Sequence, residues 1–262
     1  MEKMHKYPRT PHIEGSRKQV GDEDIDCIPF ATIAGKRLVV EEKMDGSQAG
    51  ISFGDEGLRL QSRGHFLSGG LREAQFSLFK SWAWLIEAQL REILGCRYVM
   101  YGEWLWIKHT VFYNDLPHYF MEFDIYDSET GVWLSTGRRQ AMLAGSGIVS
   151  VKVLVDGHFE KPEDLSCLVV ESNFIDQCSR ESDLIDACKR VGYKSGIEQT
   201  DQTGLMEGLY IKEEDDNSVL GRYKFVRKSF LDAVAESGGH WFDKTFVHNV
   251  LTINKERENG RK

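Results

Sequence analysis

Three observations predict an α+β fold for this 262-residue chain. Many short runs have strand character and are separated by Gly-bearing turns. One long stretch, 71–94, has helical period instead. The helices are gathered between groups of strands, without the regular alternation of a parallel sheet.

The elements follow in order. The first 18 residues hold Lys3, Lys6, Arg9, Arg17 and Lys18 against Glu2 and Glu14, with prolines at 8 and 11; they read as a basic, irregular arm. RLVVEE (37–42), AGISF (49–53) and LRLQS (58–62) read as strands. Leu71, Leu78, Trp82, Leu85, Ile86 and Ile93 recur at helical spacing up to Gly95, which supplies the stop. Strands are expected over 97–106, 118–127 and 149–155. Helices are expected around 162–172, where Pro162, Glu163 and Asp164 suit a first turn, and around 180–191. GLYIK (208–212) and VLGRYKFVR (219–227) flank the acidic turn EEDDNS and predict a hairpin. A helix from Ser229 and a charged tail follow. The organisation expected is an arm over 1–30, one domain over 31–235 and a short extension over 236–262.

Hydrophobic residues at 41% and charged residues at 28% are globular proportions. The net charge of −8 opposes a polyanionic partner, so a nucleic-acid role requires a local basic patch such as the arm. No apolar run is long enough for a membrane span, and the N-terminus has no signal-peptide core. Five cysteines without a CxxC read as reduced thiols of a cytoplasmic protein. The eight histidines lack zinc-site spacing, and the tryptophans read as packing residues.

The sharpest signal is EEKMDGSQAG, which places Lys43, Asp45 and Gly46 in a turn leaving a strand. On its own it is a polar turn. Gln61-Ser62-Arg63-Gly64 follows, then Tyr101-Gly102-Glu103 and Phe120-Met121-Glu122-Phe123-Asp124. Glu207-Gly208-Leu209-Tyr210-Ile211-Lys212 and Arg222-Tyr223-Lys224 complete the set. In this order the residues resemble motifs I, Ia, III, IIIa, IV and V of the covalent nucleotidyltransferases: ATP-dependent RNA and DNA ligases and mRNA capping enzymes. KYPRTPHIEGSR and RYKFVRKSF further resemble a group of small bacterial and phage RNA ligases used in RNA repair.

The resemblance implies an adenylation domain with antiparallel sheets flanked by helices. It implies an ATP-dependent RNA ligase joining 5′-phosphate and 3′-hydroxyl ends through lysyl-AMP at Lys43 and an adenylylated RNA. Glu103, Phe123, Arg63 and Lys212 are then nucleotide-binding, with Phe123 stacking on adenine and Glu103 accepting from a ribose hydroxyl. Glu42 and Gln48 flank the lysine as further nucleotide contacts. Glu207 is expected to hold Mg²⁺ or Mn²⁺, since hard cations take oxygen ligands. Arg222 and Lys224 alternate onto one strand face and can meet one phosphate; Arg222 stands where the family usually has lysine. These cations, with the metal, are expected to disfavour the Lys43 ammonium and so activate the amine. Implied partners are RNA ends and an end-healing kinase or phosphatase, with no membrane. Only 34 residues follow 228, too few for an oligonucleotide-binding barrel. A DNA ligase or other nucleotidyltransferase, and a catalytically silent nucleotide- or RNA-binding module, stay open as alternatives. Intact Lys43, Glu103, Glu207 and Lys224 speak against the silent module.

Overall fold

The computed structural model describes residues 4–18, 22, 24–236 and 245–254. Its strands are β1 (His12–Ile13), β2 (Cys27–Ile28), β3 (Arg37–Lys43), β4 (Ser47–Gly54), β5 (Gly57–Ser62), β6 (Tyr98–Trp104), β7 (Phe120–Asp127), β8 (Val132–Trp133), β9 (Val153–His158), β10 (Gly208–Glu214) and β11 (Val219–Val226). Its α-helices are α1 (Ser77–Leu85), α2 (Glu87–Leu94), α3 (Thr136–Leu143), α4 (Pro162–Ser166), α5 (Arg180–Arg190) and α6 (Lys228–Glu236). The strands form two mainly antiparallel sheets, a six-stranded one ordered β2-β1-β11-β10-β3-β9 and a five-stranded one ordered β5-β4-β6-β7-β8. The fold is therefore α+β, as the sequence predicts.

Alternation along each strand sends one set of side chains to an outer core and the other toward the opposite sheet. Leu38, Val40, Leu209 and Ile211 join Phe30, Phe159 and Leu165 on one outer face. Ile51, Phe53, Met100 and Trp104 pack with Phe79, Ala83, Leu90 and Leu94 of α1 and α2 on the other. The predicted helix over 71–94 is three pieces: a 3-10 stretch over Leu71–Phe76, then α1 and α2, which meet at Ile86 (φ −110°, ψ 22°). The break turns Ile86 onto the core and leaves Leu85 84% exposed. The strand expected at 149–155 starts later, at Val153, and the helix expected at 162–172 stops at Ser166.

Both termini are tied in. The arm supplies β1 and β2, with His12 paired in parallel to Lys224 of β11. Residues 245–254 return to the 105–116 loop, where Asn249 accepts from the Tyr113 amide at 3.0 Å and donates to the Leu105 carbonyl at 2.7 Å. The end of the charged tail lies outside the described residues.

Candidate active site

The KMDG turn joins the two sheets, because β3 belongs to one and β4 to the other. Gly46 is required there: a Cβ would stand 2.7 Å from the Trp104 carbonyl oxygen and 2.8 Å from Leu105 Cδ2. Asp45 is an anchor. Its Oδ2 accepts the amides of Thr110 and Val111, both at 2.7 Å, and its own amide donates to the Tyr113 hydroxyl at 2.9 Å. The turn thus fixes Lys43 at the end of β3, opposite Gly208 of β10. A Cβ on Gly208 would stand 1.9 Å from the Phe225 carbonyl oxygen, so the neighbouring strand crowds this position as well.

Lys43 Nζ lies 2.7 and 2.8 Å from the two carboxylate oxygens of buried Glu207. Glu103 faces the same group from β6, its carboxylate accepting the Gly46 amide. Burial disfavours the Lys43 ammonium, yet Glu207 and Glu103 outweigh it and hold the pKa above its ordinary value. Burial pushes the two acids up, to about 7 for Glu207 and about 8 for Glu103, against the pull of Lys43. The nearest charges to Lys43 are these carboxylates, with Lys224 the cation that opposes its charge.

Arg222 and Lys224 do share a face of β11, opposite Lys212 and Tyr210 of β10, but they are held apart in function. Lys224 Nζ is 2.5 Å from Asp22. Burial lowers the Lys224 pKa and the charge of Lys43 adds to this, while Asp22 opposes it. Arg222 donates Nε to Asp124 at 3.0 Å and lies over the Trp133 ring at 4.1 Å. Lys212 is fully buried and bridges the sheets, 2.8 Å from Glu41 and 3.4 Å from Asp124, while donating to the Phe123 carbonyl. Its charge is balanced inside the protein by these carboxylates. Asp124 stays ionised despite burial, at about 2, because Arg222, Lys212 and Arg139 surround it.

The Glu42 side chain points elsewhere. Alternation turns it to the other face of β3, where it accepts from Ser172 Oγ at 2.5 Å and from the Asn173 amide and side chain at 3.1 and 3.0 Å. Gln48 pairs in register with Glu103 and so faces the same space. Phe123 is half-buried between the sheets, 6.0 Å ring to ring from Tyr210. Arg63 is exposed just past β5.

Lys43, Glu103, Glu207 and Lys224 therefore meet between the sheets, with Gln48 in register beside Glu103 and Phe123 beside Tyr210. The family model for RNA ligase matches residues 36–228, a span holding all six. The chain belongs to the RNA ligase family. Among solved structures it is similar to Naegleria gruberi RNA ligase: a lysine-to-alanine variant with ATP and Mn (16% identity, TM-score 0.52, covering 79% of this chain and 53% of that one). It is similar also to a lysine-to-methionine variant with AMP and Mn (16%, 0.51, 77% and 53%) and to an aspartate-to-alanine variant without ligand (17%, 0.52, 77% and 52%). At these identities the likeness is one of fold, and the chain spans about half the length of those proteins. No curated protein sequence matches.

Several residues of this RNA ligase family member have no motif signal. Arg139 of α3 is buried and donates to Glu122 at 2.6 and 2.8 Å and to Glu41 at 2.6 Å, making with Lys212 and Asp124 a charged layer between the sheets. Asp22 and His12 come from the arm, 3.2 Å apart, behind Lys224. Tyr7 inserts its ring beside Phe123. Tyr7 belongs to the KYPRTPHIEGSR stretch that resembles the small RNA ligases, but nothing in the sequence gives it a role in the cleft, and nothing marks Asp22 or Arg139.

Among the described residues, no group of three or more His, Cys, Asp or Glu is arranged to hold a metal. Glu207 and Glu103 nonetheless fit a magnesium-like ion, which takes one or two carboxylates and completes its shell with phosphate and water. Their raised pKa values show two buried acids short of positive charge. No helix of the described residues is long and apolar enough to cross a membrane.

Proposed function

We propose that the chain is an ATP-dependent RNA ligase that joins 5′-phosphate to 3′-hydroxyl ends through lysyl-AMP at Lys43 and an adenylylated RNA. The observation that carries it is the Lys43–Glu207 pair at 2.7 Å, set in the inter-sheet cleft with Glu103 and Lys224 beside it. Lys43 must lose a proton before its nitrogen can attack the α-phosphate. Glu207, in contact, orients the amine, and the proton leaves to solvent. Nζ then forms the phosphorus–nitrogen bond as pyrophosphate leaves. Lys224 supplies positive charge to the phosphate, exchanging Asp22 for it. Gln48 and Glu103 line the nucleotide side, and Phe123 stacks on the base. A Mg²⁺ or Mn²⁺ ion held by Glu207 supplies further charge neutralisation at the phosphates. Arg63, exposed near the mouth, suits the RNA end.

RNA repair accommodates this reading, with ends prepared by an end-healing kinase or phosphatase. The five free cysteines, four of them exposed, suit the reducing cytoplasm. The test is incubation with α-labelled ATP and Mg²⁺, followed by nicked RNA or DNA carrying a 5′-phosphate. Label should move from protein to RNA, and Lys43→Ala should take up none while keeping its circular dichroism. Label on the Lys43→Ala chain would refute the assignment, and transfer to DNA alone would replace RNA with DNA as substrate.

A further inference from the structure

Two residues further along the strands from Lys43 and Glu103, the cleft is closed by a residue of the arm. Tyr7 stands edge to face against Phe123 (centroids 5.3 Å, 83°), Tyr101 (5.1 Å, 61°) and Trp133 (5.1 Å, 80°). Its hydroxyl donates to Asp124 and contacts the Tyr210 hydroxyl. The backbone around it is held from both sheets. The His5 carbonyl accepts from Gln61 Nε2 at 2.8 Å and from the Tyr101 hydroxyl at 2.7 Å, and the Pro11 carbonyl accepts the Lys224 amide at 2.9 Å. Behind Tyr7, the Arg222 guanidinium lies 5.7 Å from its ring, and Arg222 Nη2 is buried without a hydrogen-bond partner.

We propose that Tyr7 forms the closed end of the nucleotide cleft and, with Arg222 behind it, determines which base the cleft accepts. The inference rests on the nucleotide-binding reading above. A base stacked on Phe123 meets the Tyr7 ring, which Tyr101, Trp133 and Arg222 hold by ring contacts. The depth of the slot is thus set by a side chain outside the six nucleotidyltransferase motifs. The donor left over on Arg222 favours a base edge that presents an acceptor. Adenine presents an unprotonated ring N1, where guanine presents an N–H with the acceptor O6 beside it, so the depth set by Tyr7 decides which of these atoms the Arg222 donor meets. The lysine usual in the family would keep the charge near Asp124 but lack the forked second donor.

The experiment measures binding of Mg-ATP and Mg-GTP by calorimetry, with covalent labelling alongside, for the wild-type chain, Tyr7→Ala, Tyr7→Leu, Tyr7→Phe and Arg222→Lys. Loss of the ring in Tyr7→Ala should weaken ATP binding about tenfold, the scale of its aromatic contacts. It should also narrow the ATP-to-GTP ratio, as should Arg222→Lys. Tyr7→Phe, which keeps the wall, should retain that ratio. Should Tyr7→Ala fail to unfold cooperatively, Tyr7→Leu, which refills the volume without a ring, decides by the same ratio. Unchanged affinity and ratio in the ring-deleted chains would overturn the proposal. Tighter ATP binding would do so too, making Tyr7 an occupant of the slot instead of its wall. Calorimetry separates this inference from the catalytic one: a wild-type chain that binds ATP selectively but takes up no label refutes the ligase reading alone.

Discussion

Glu103→Gln removes a negative charge from the cleft without changing its shape, and the consequence for stability follows from where the carboxyl titrates. Its pKa rises from 4.5 to about 8 on folding, chiefly through burial, with Lys43 opposing the shift and Glu207 and Asp45 adding to it. At 1.36 kcal/mol per pH unit the gap corresponds to about 4.8 kcal/mol. The residue is only half-buried, so screening by solvent reduces the working figure to about 2 kcal/mol. The neutral acid is the form the fold favours. Its stabilising contribution is complete below pH 4.5 and is lost as pH rises through 8. The wild-type and Glu103→Gln chains should therefore melt at nearly the same temperature at pH 5. At pH 9 the variant should melt about 4–8 °C higher, taking 2–4 °C per kcal/mol for a chain of this size class. Thermal unfolding followed by circular dichroism at the two pH values decides. A difference that stays constant with pH, or a variant that is the less stable at pH 9, would refute the argument that burial favours the neutral form of Glu103.

Arg139→Met should destabilise the chain by about 3–5 kcal/mol in urea unfolding, because it strands Glu122 and Glu41 in the interior; a loss below 1 kcal/mol would mean the charged layer is dispensable. Gly46→Ala should cost about 1–3 kcal/mol through the backbone clash with Trp104, and should slow covalent labelling by displacing Lys43. Normal labelling kinetics in that variant would show the turn can yield freely. Asp22→Asn should leave the Lys224 charge opposed by burial and Lys43 alone, lowering the labelling rate at saturating ATP more than it changes ATP affinity, with partial rescue by Asp22→Glu. An effect confined to melting temperature would make Asp22 a structural residue only.

Periodicity and turn chemistry made the strands of both sheets legible, because each buries one face and alternates accordingly. The break at Ile86 was not, since no proline or glycine marks it and the choice between one helix and two was made by packing on the far side of the sheet. In the cleft, residues whose chemistry is exposed in a short motif were legible: Lys43, Glu103, Phe123, Glu207 and Lys224. Partners chosen by register were not. Lys212 and Glu42 belong to the same motifs, yet one lies in the charged layer and the other on the opposite face of β3, a distinction that depends on strand pairing across more than a hundred residues. The positions of Tyr7 and Asp22 were illegible for the same reason: the arm stretch holding Tyr7 has a family look, but where its ring goes depends on β11 standing beside it.

The pairing of arm with hairpin also sets a clock. Tyr7 and Tyr210 are 203 positions apart, and Asp22 and Lys224 are 202. At about 5–20 residues per second a ribosome needs roughly 10–40 s to bring out the second partner after the first. Throughout that interval β1 has only β2 beside it, and the five-stranded sheet can form with its inner face uncovered. Cleft assembly therefore waits for β11, set by contacts of very high sequence separation. A nascent chain stalled before β11 holds Lys43 and Tyr7 but neither Lys224 nor the strand against which the arm is held.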